Sequence, residues 1–95
     1  MRVISRRRLR EFWEKHRQAE EPLKAWCKAA TKAGWKKFED VKADYGAADR
    51  VGQFTVFDIG GNKWRIIAAI HYNRRLLFIR YVLTHEEYSR GRWKE

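Results

Sequence analysis

Cysteine is almost missing from this chain of 95 residues. Its single copy, Cys27, can close no disulfide within the chain and supply no thiolate-rich zinc site, so neither staple is expected in the fold. Proline is equally scarce, with Pro22 alone, and no Pro/Ser-rich linker, internal repeat or low-complexity tract divides the sequence. One continuous domain over residues 1–95 is the expectation. No window approaches ~18 consecutive apolar residues, and Met1-Arg2-Val3-Ile4-Ser5 runs into Arg6-Arg7-Arg8 with no apolar signal-peptide core behind it. Neither a membrane span nor secretion is expected, which makes the cytoplasm the natural compartment. Serine is limited to Ser5 and Ser89, neither next to a His/Asp pair, so a hydrolase triad has no support. There is no glycine-rich phosphate loop, and His16, His71 and His85 are too scattered for a metal site. No metal and no cofactor is expected.

Negative charge is in short supply as well. The 22 Lys and Arg against 12 Asp and Glu give a net charge of +10, and the stretch from Ile59 to His85 contains no carboxylate while holding Lys63, Arg65, Arg74, Arg75 and Arg80. Such a surface attracts polyanions, and this stretch is where a phosphate would go. A basic surface kept for solubility or for an acidic protein partner has the same composition. Apolar material is ample: 44% of residues are hydrophobic, with five Trp, four Tyr and five Phe, enough for a packed core and far above the content of a disordered chain.

Periodicity places the elements. Val3 and Ile4 suit a short first strand, and Ser5 is placed to cap a helix whose stripe is Leu9, Phe12, Trp13 and His16 and which ends near Glu20. Pro22 suits a first helical position, and Leu23, Trp26, Cys27 and Ala30 form a second stripe closed by Gly34. The two helices read as a hairpin. Arg6, Arg7 and Arg8 occupy the first turn of helix one, where the helix dipole disfavours cations by about 0.3–1 kcal/mol each, so folding alone would not choose them. They are candidates for contact with nucleic acid, although a solvated basic turn looks the same. From Trp35 to Arg50 the periodicity is poor and suggests a loop with a short helical turn. Beyond Gly52 the residues become β-branched and aromatic, over Gln53 to Ile59, Lys63 to Tyr72 and Leu76 to Leu83, with turn signals at Gly60-Gly61-Asn62 and Asn73-Arg74. The expected class is α+β, a helical hairpin packed on a three-stranded antiparallel sheet. Thr84 with Glu87 has the capping-box pattern, which puts His85 and Tyr88 on one side of a short last helix.

Alternation along Lys63-Trp64-Arg65-Ile66 sends Lys63 and Arg65 to one face, and Trp64 with Ile66 to the face better suited to the core. A two-residue loop of Asn73-Arg74 would pair Tyr72 with Arg75, set Ile67 opposite Arg80 and bring Lys63, Arg65 and Arg80 to one face. A three-residue loop would send Arg80 to the other. The tolerance of asparagine for positive φ favours the first. A face carrying Lys63, Arg65 and Arg80, bordered by His85 and Tyr88, holds what metal-free RNA cleavage requires. A base takes the proton of the ribose 2′-OH, an acid protonates the departing 5′ oxygen, and cations stabilise the phosphorane. Arginine suits the last task by its planar fork, neighbouring cations lower the pKa of a lysine or tyrosine, and histidine titrates near neutrality. A solvated basic strand face has the same make-up, so spacing alone does not establish catalysis.

The run Phe57-Asp58-Ile59-Gly60-Gly61-Asn62-Lys63-Trp64-Arg65, followed by Phe78-Ile79-Arg80 and Thr84-His85-Glu86-Glu87-Tyr88, resembles the HigB family of toxins in the RelE/ParE superfamily, and the resemblance covers nearly the whole chain. It implies a small RelE-like, microbial-ribonuclease-like α+β domain, ribosome-dependent mRNA cleavage, and neutralisation by a helix-turn-helix antitoxin, HigA. Carried over by motif position, Lys63, Arg65, Arg80, His85 and Tyr88 are the catalytic candidates. Arg6, Arg7, Arg8, Arg74 and Arg75 are the candidates for binding RNA. The chain departs from the pattern at Glu86, where many superfamily members have an arginine directly after the position matched by His85; Arg80 substitutes for that cation. The expectation is therefore a metal-independent mRNA endoribonuclease, the toxin of a type II toxin–antitoxin pair, monomeric within a heteromeric complex because its own charge opposes self-association. Two rivals use the same fold: a noncatalytic toxin of the ParE kind, which acts on DNA gyrase, and a plain RNA- or ribosome-binding module.

Overall fold

A computed structural model describes residues 1–94. Its centre is a five-stranded sheet formed by β1 (Arg2–Ile4), β2 (Asp49–Val51), β3 (Phe54–Ile59), β4 (Trp64–His71) and β5 (Leu76–Thr84) in the order β1-β5-β4-β3-β2. β1, the short first strand expected at Val3 and Ile4, runs parallel to β5 and every other pair is antiparallel, so the sheet is mixed and the expected meander gains β2 on its other edge. Neither edge strand has a long apolar run to announce it. β2 is set by a two-residue turn, Gly52-Gln53, with Val51 paired to Phe54 and Gly52 at φ 61°. Glycine first in a two-residue loop is a hairpin signal that the sequence did carry.

The helical hairpin forms as expected, with changed ends. α1 spans Arg7–Lys15, and a 3₁₀ turn at Arg17–Ala19 leads into α2 (Glu20–Lys32), so the first helix stops short of Glu20. Ser5 is not its cap: it takes φ 73° to turn the chain out of β1, and Arg6 holds the cap position with no side-chain cap bond. Pro22 is the third residue of α2, still within the first turn, where its missing N–H leaves no helical bond unmade. α2 stops at Lys32 because Ala33 turns extended, before Gly34 is reached. Phe38–Asp44 then forms α3 inside the stretch with poor periodicity.

Leu9, Phe12, Leu23, Trp26 and Ala30 are buried against Phe57, Ile66, Ala68, Leu77 and Ile79, so α1 and α2 cover one face of the sheet. Trp26 meets Phe57 edge-on at 5.2 Å between ring centroids, and Phe57 also carries Trp35 and Tyr45. On the opposite face Val56 and Ile67 are covered by Trp93, with Phe54, Leu83 and Tyr88 packed around them. That cover comes from α4 (His85–Arg90) and the 3₁₀ turn Arg92–Lys94. α4 begins with the expected capping box: Thr84 accepts from the Glu87 N–H, and the Glu87 carboxylate accepts from the Thr84 N–H.

The β4–β5 hairpin keeps the expected register from His71 to Ala68, with a longer loop, and departs from it beyond Ala68. His71 pairs with Leu76 around a loop of Tyr72–Arg74 and Arg75, and the positive φ falls on Arg75 (56°) instead of Asn73. Ile67 lies opposite Tyr81, not Arg80, because the register shifts between Ile67 and Ala68 and leaves Arg80 as the extra residue of a β-bulge. No helix among the described residues is long and apolar enough to cross a membrane.

Candidate functional site

The turn between β3 and β4 begins with Gly60, Gly61 and Asn62, at φ 65°, 63° and 78°. Gly60 is required twice over, since a Cβ there would lie 2.8 Å from the Trp64 ring, and only glycine enters the left-handed region without penalty. This tight reversal sets Asp58 directly opposite Arg65 across the hairpin. It also brings Asn62 back over the strand it has just begun.

Arg65 is only 8% exposed, and a guanidinium taken out of water must find acceptors. It finds them within the chain. Nη1 donates to Asp58 Oδ1 at 3.2 Å, to the Asn62 carbonyl at 3.1 Å and to the Trp64 carbonyl at 3.3 Å. Nη2 donates to Asn62 Oδ1 and reaches His85 Nδ1 at 3.3 Å. A guanidinium has donors only, so His85 Nδ1 can take part in that contact only as an acceptor. The His85 backbone N–H donates to the Lys63 carbonyl at 3.0 Å, which fixes the start of α4 against the turn. The Arg65 guanidinium carbon lies 5.1 Å from the centre of the Tyr88 ring, a cation–π contact. Tyr88 in turn stacks on Trp93 at 5.3 Å with the planes 15° apart, and the Trp93 Nε1–H donates to the Tyr88 carbonyl.

Arg65, His85 and Tyr88 are therefore together, on the face away from the helical hairpin. Lys63 is in the turn, not in a strand, and takes part through its carbonyl while its side chain is exposed. Arg80 reaches the same open face by another route than the expected pairing. Phe78, opposite Ala69, meets His71 edge-on on that face, and the Arg80 guanidinium lies over Phe78 at 5.9 Å. Arg74 and Arg75 are exposed at the far end of β4 from Arg65, on the order of 25 Å away for a strand of eight residues. Arg6, Arg7 and Arg8 are exposed where α1 begins; Arg6 donates to Thr31 Oγ1 and Arg7 pairs with Glu11 at 3.0 Å. The geometry thus separates Arg74 and Arg75 from the Arg65 cluster, while Arg8 lines a cavity with Tyr81, Val82 and Glu87. Asp58, Asn62 and Trp93 were not singled out from the sequence. The Gly60-Gly61-Asn62 turn held the signal for Asp58, because counting back from it pairs position 58 with 65.

Residues 19–91 match the model of the HigB toxin family, described as the RelE-like toxic component of a toxin–antitoxin system. The chain is 32% identical over 92 residues to the mRNA interferase toxin HigB of Escherichia coli K12, an alignment that covers 94% of this chain and 88% of that protein. It has the same identity and coverage with the mRNA interferase HigB of Shigella flexneri. With the α+β fold and the turn-and-helix cluster in place, this chain belongs to the HigB family of RelE-like toxins.

Proposed function

We propose that this protein is an mRNA endoribonuclease, the toxin of a type II toxin–antitoxin pair, which cuts mRNA on the ribosome without a metal ion. The observation that carries the reading is the Arg65–His85 contact, which holds the exposed His85 against the same guanidinium that lies on Tyr88. In the reaction the 2′-oxygen bonds to phosphorus as its proton passes to a base, and the bond from phosphorus to the 5′ oxygen breaks as that oxygen takes a proton from an acid. His85 and Tyr88 share these proton transfers. Arg65, saturated by its own chain, orients His85 and supplies positive charge behind the site, while the exposed Arg80 and Lys63 meet the phosphate. Arg6, Arg7, Arg8, Arg74 and Arg75 hold RNA outside the reacting centre. The toxin is a monomer, neutralised in a heteromeric complex by a HigA-like helix-turn-helix antitoxin whose acidic surface complements the charge of +10. It acts in the cytoplasm, as one domain.

The test is primer extension on mRNA from a translation extract supplied with the purified protein, with and without EDTA. New 5′ ends that require translation and persist in EDTA, on fragments whose upstream partners end in a 2′,3′-cyclic phosphate or the 3′-phosphate derived from it, are expected. Upstream ends bearing a 3′-OH would exclude attack by the 2′-OH. Intact mRNA would leave a noncatalytic toxin as the better reading.

A further inference from the structure

Tyr81 is the one large hydrophobic side chain that the sheet leaves exposed among the described residues, at 38%. It lies opposite the fully buried Ile67, and two residues further along β5 Leu83 lies opposite Arg65, so Tyr81 shares the face of the Arg65 cluster. The bulge at Arg80 is what turns two successive side chains, Arg80 and Tyr81, toward that face. Beside Tyr81 runs an open groove of about 330 Å³, walled by Leu83, Glu87, Arg90, Arg92 and Trp93. Arg90 and Arg92 are exposed and make no ion pair among the described residues, whereas the Glu87 carboxylate is held by the Thr84 N–H. The groove and the candidate site share a wall residue: Trp93 stacks on Tyr88, and Tyr88 lies on Arg65.

We propose that this groove is a nucleobase subsite, in which Tyr81 stacks on an unpaired base next to the scissile phosphate while Arg90 and Arg92 contact the flanking phosphates. Aromatic rings with arginines beside them recognise single-stranded nucleotides, since every base has a π face and every linkage an anion. A purely apolar partner would leave both arginines unanswered. The inference rests on the endoribonuclease reading and deepens it, by assigning Tyr81 to substrate positioning rather than to proton transfer.

Two measurements on Tyr81→Ala, Tyr81→Leu and Tyr81→Phe test it. The first is fluorescence anisotropy with a short labelled 2′-O-methyl oligoribonucleotide, which cannot be cut by 2′-OH attack. Leucine keeps apolar bulk but has no π face, so Tyr81→Leu and Tyr81→Ala are both expected to bind roughly tenfold or more weakly, with Tyr81→Phe near wild type. The second is cleavage of ribosome-bound mRNA, in which KM should rise with kcat changed less, and the preference among cut sites should shift at a flanking nucleotide. Tyr81→Leu binding and cutting like wild type would overturn the subsite, as would Tyr81→Phe failing like Tyr81→Ala. A wild-type protein that cuts mRNA with no response to these changes refutes the subsite alone. One that binds the oligoribonucleotide through Tyr81 but never cuts refutes the enzymatic reading and with it the placement beside a scissile phosphate.

Discussion

Leu23, Trp26 and Leu9 press the helical hairpin onto Phe57, Ile66 and Ile79 on one face of the sheet, while on the other Trp93 roofs Ile67 and Val56 and Arg65 is buried beside them among backbone and side-chain acceptors. The first face is held by apolar area, which is non-directional and accepts many packings that keep volume. The second depends on directed contacts, where an atom displaced by an ångström loses its partner. Stability should therefore be concentrated on the first face and chemistry on the second.

The largest expected effect would sharpen that contrast from the apolar side. Trp26→Ala removes a side chain that is 2% exposed and should cost about 3–5 kcal/mol in urea unfolding. Under conditions where the variant remains folded, its cleavage of ribosome-bound mRNA should stay near normal. A loss of activity in the folded variant would mean that the two faces are coupled.

From the other side, His85→Gln and Arg65→Lys should lower single-turnover cleavage of ribosome-bound mRNA by roughly 10²-fold or more, the first by removing a proton-transfer group and the second by losing the fork that holds His85. Replacing the exposed His85 should leave the urea midpoint almost unmoved. If both variants cut within about twofold of wild type on this scale, the Arg65 cluster is not the active centre.

Gly60→Ala tests the joint between the faces, because its Cβ would meet Trp64, which packs edge-on against Phe12 in the helical core, while the same turn carries Asn62 to Arg65. A loss of about 1–3 kcal/mol in stability is expected from the left-handed backbone and the close contact together. Cleavage should fall as well, since the turn positions both sets of contacts. An unchanged melting temperature would show that the turn relaxes freely.

The smallest effect is alkaline and belongs to the apolar face. Burial pushes the Tyr45 hydroxyl above its ordinary value of 10.0, with Asp44 adding to the shift. A pKa raised on folding contributes stability that is complete below the unfolded value and is lost as pH rises through the folded one. Tyr45→Phe should flatten the fall in stability above about pH 10, followed by urea unfolding across that range, and leave the neutral value little changed. A fall equally steep in the variant would assign it to other groups.

Much of this molecule follows from local sequence. The stripes of α1 and α2, the three central strands, the Gly60-Gly61-Asn62 reversal and the Thr84–Glu87 cap depend on spacings of a few residues, and their periods hold whatever packs against them. The HigB-like blocks likewise lie within single turns of chain. The edge strand Asp49–Val51 was less legible, since three residues form a strand there only because β3 is there to pair with them. The bulge at Arg80 and the covering of Ile67 by Trp93 were decided by tertiary structure alone. A one-residue shift between strands leaves every local propensity unchanged, and what selects it is the fit of side chains from separate elements, here those that β3, β5 and the C-terminal turn pack around Ile67.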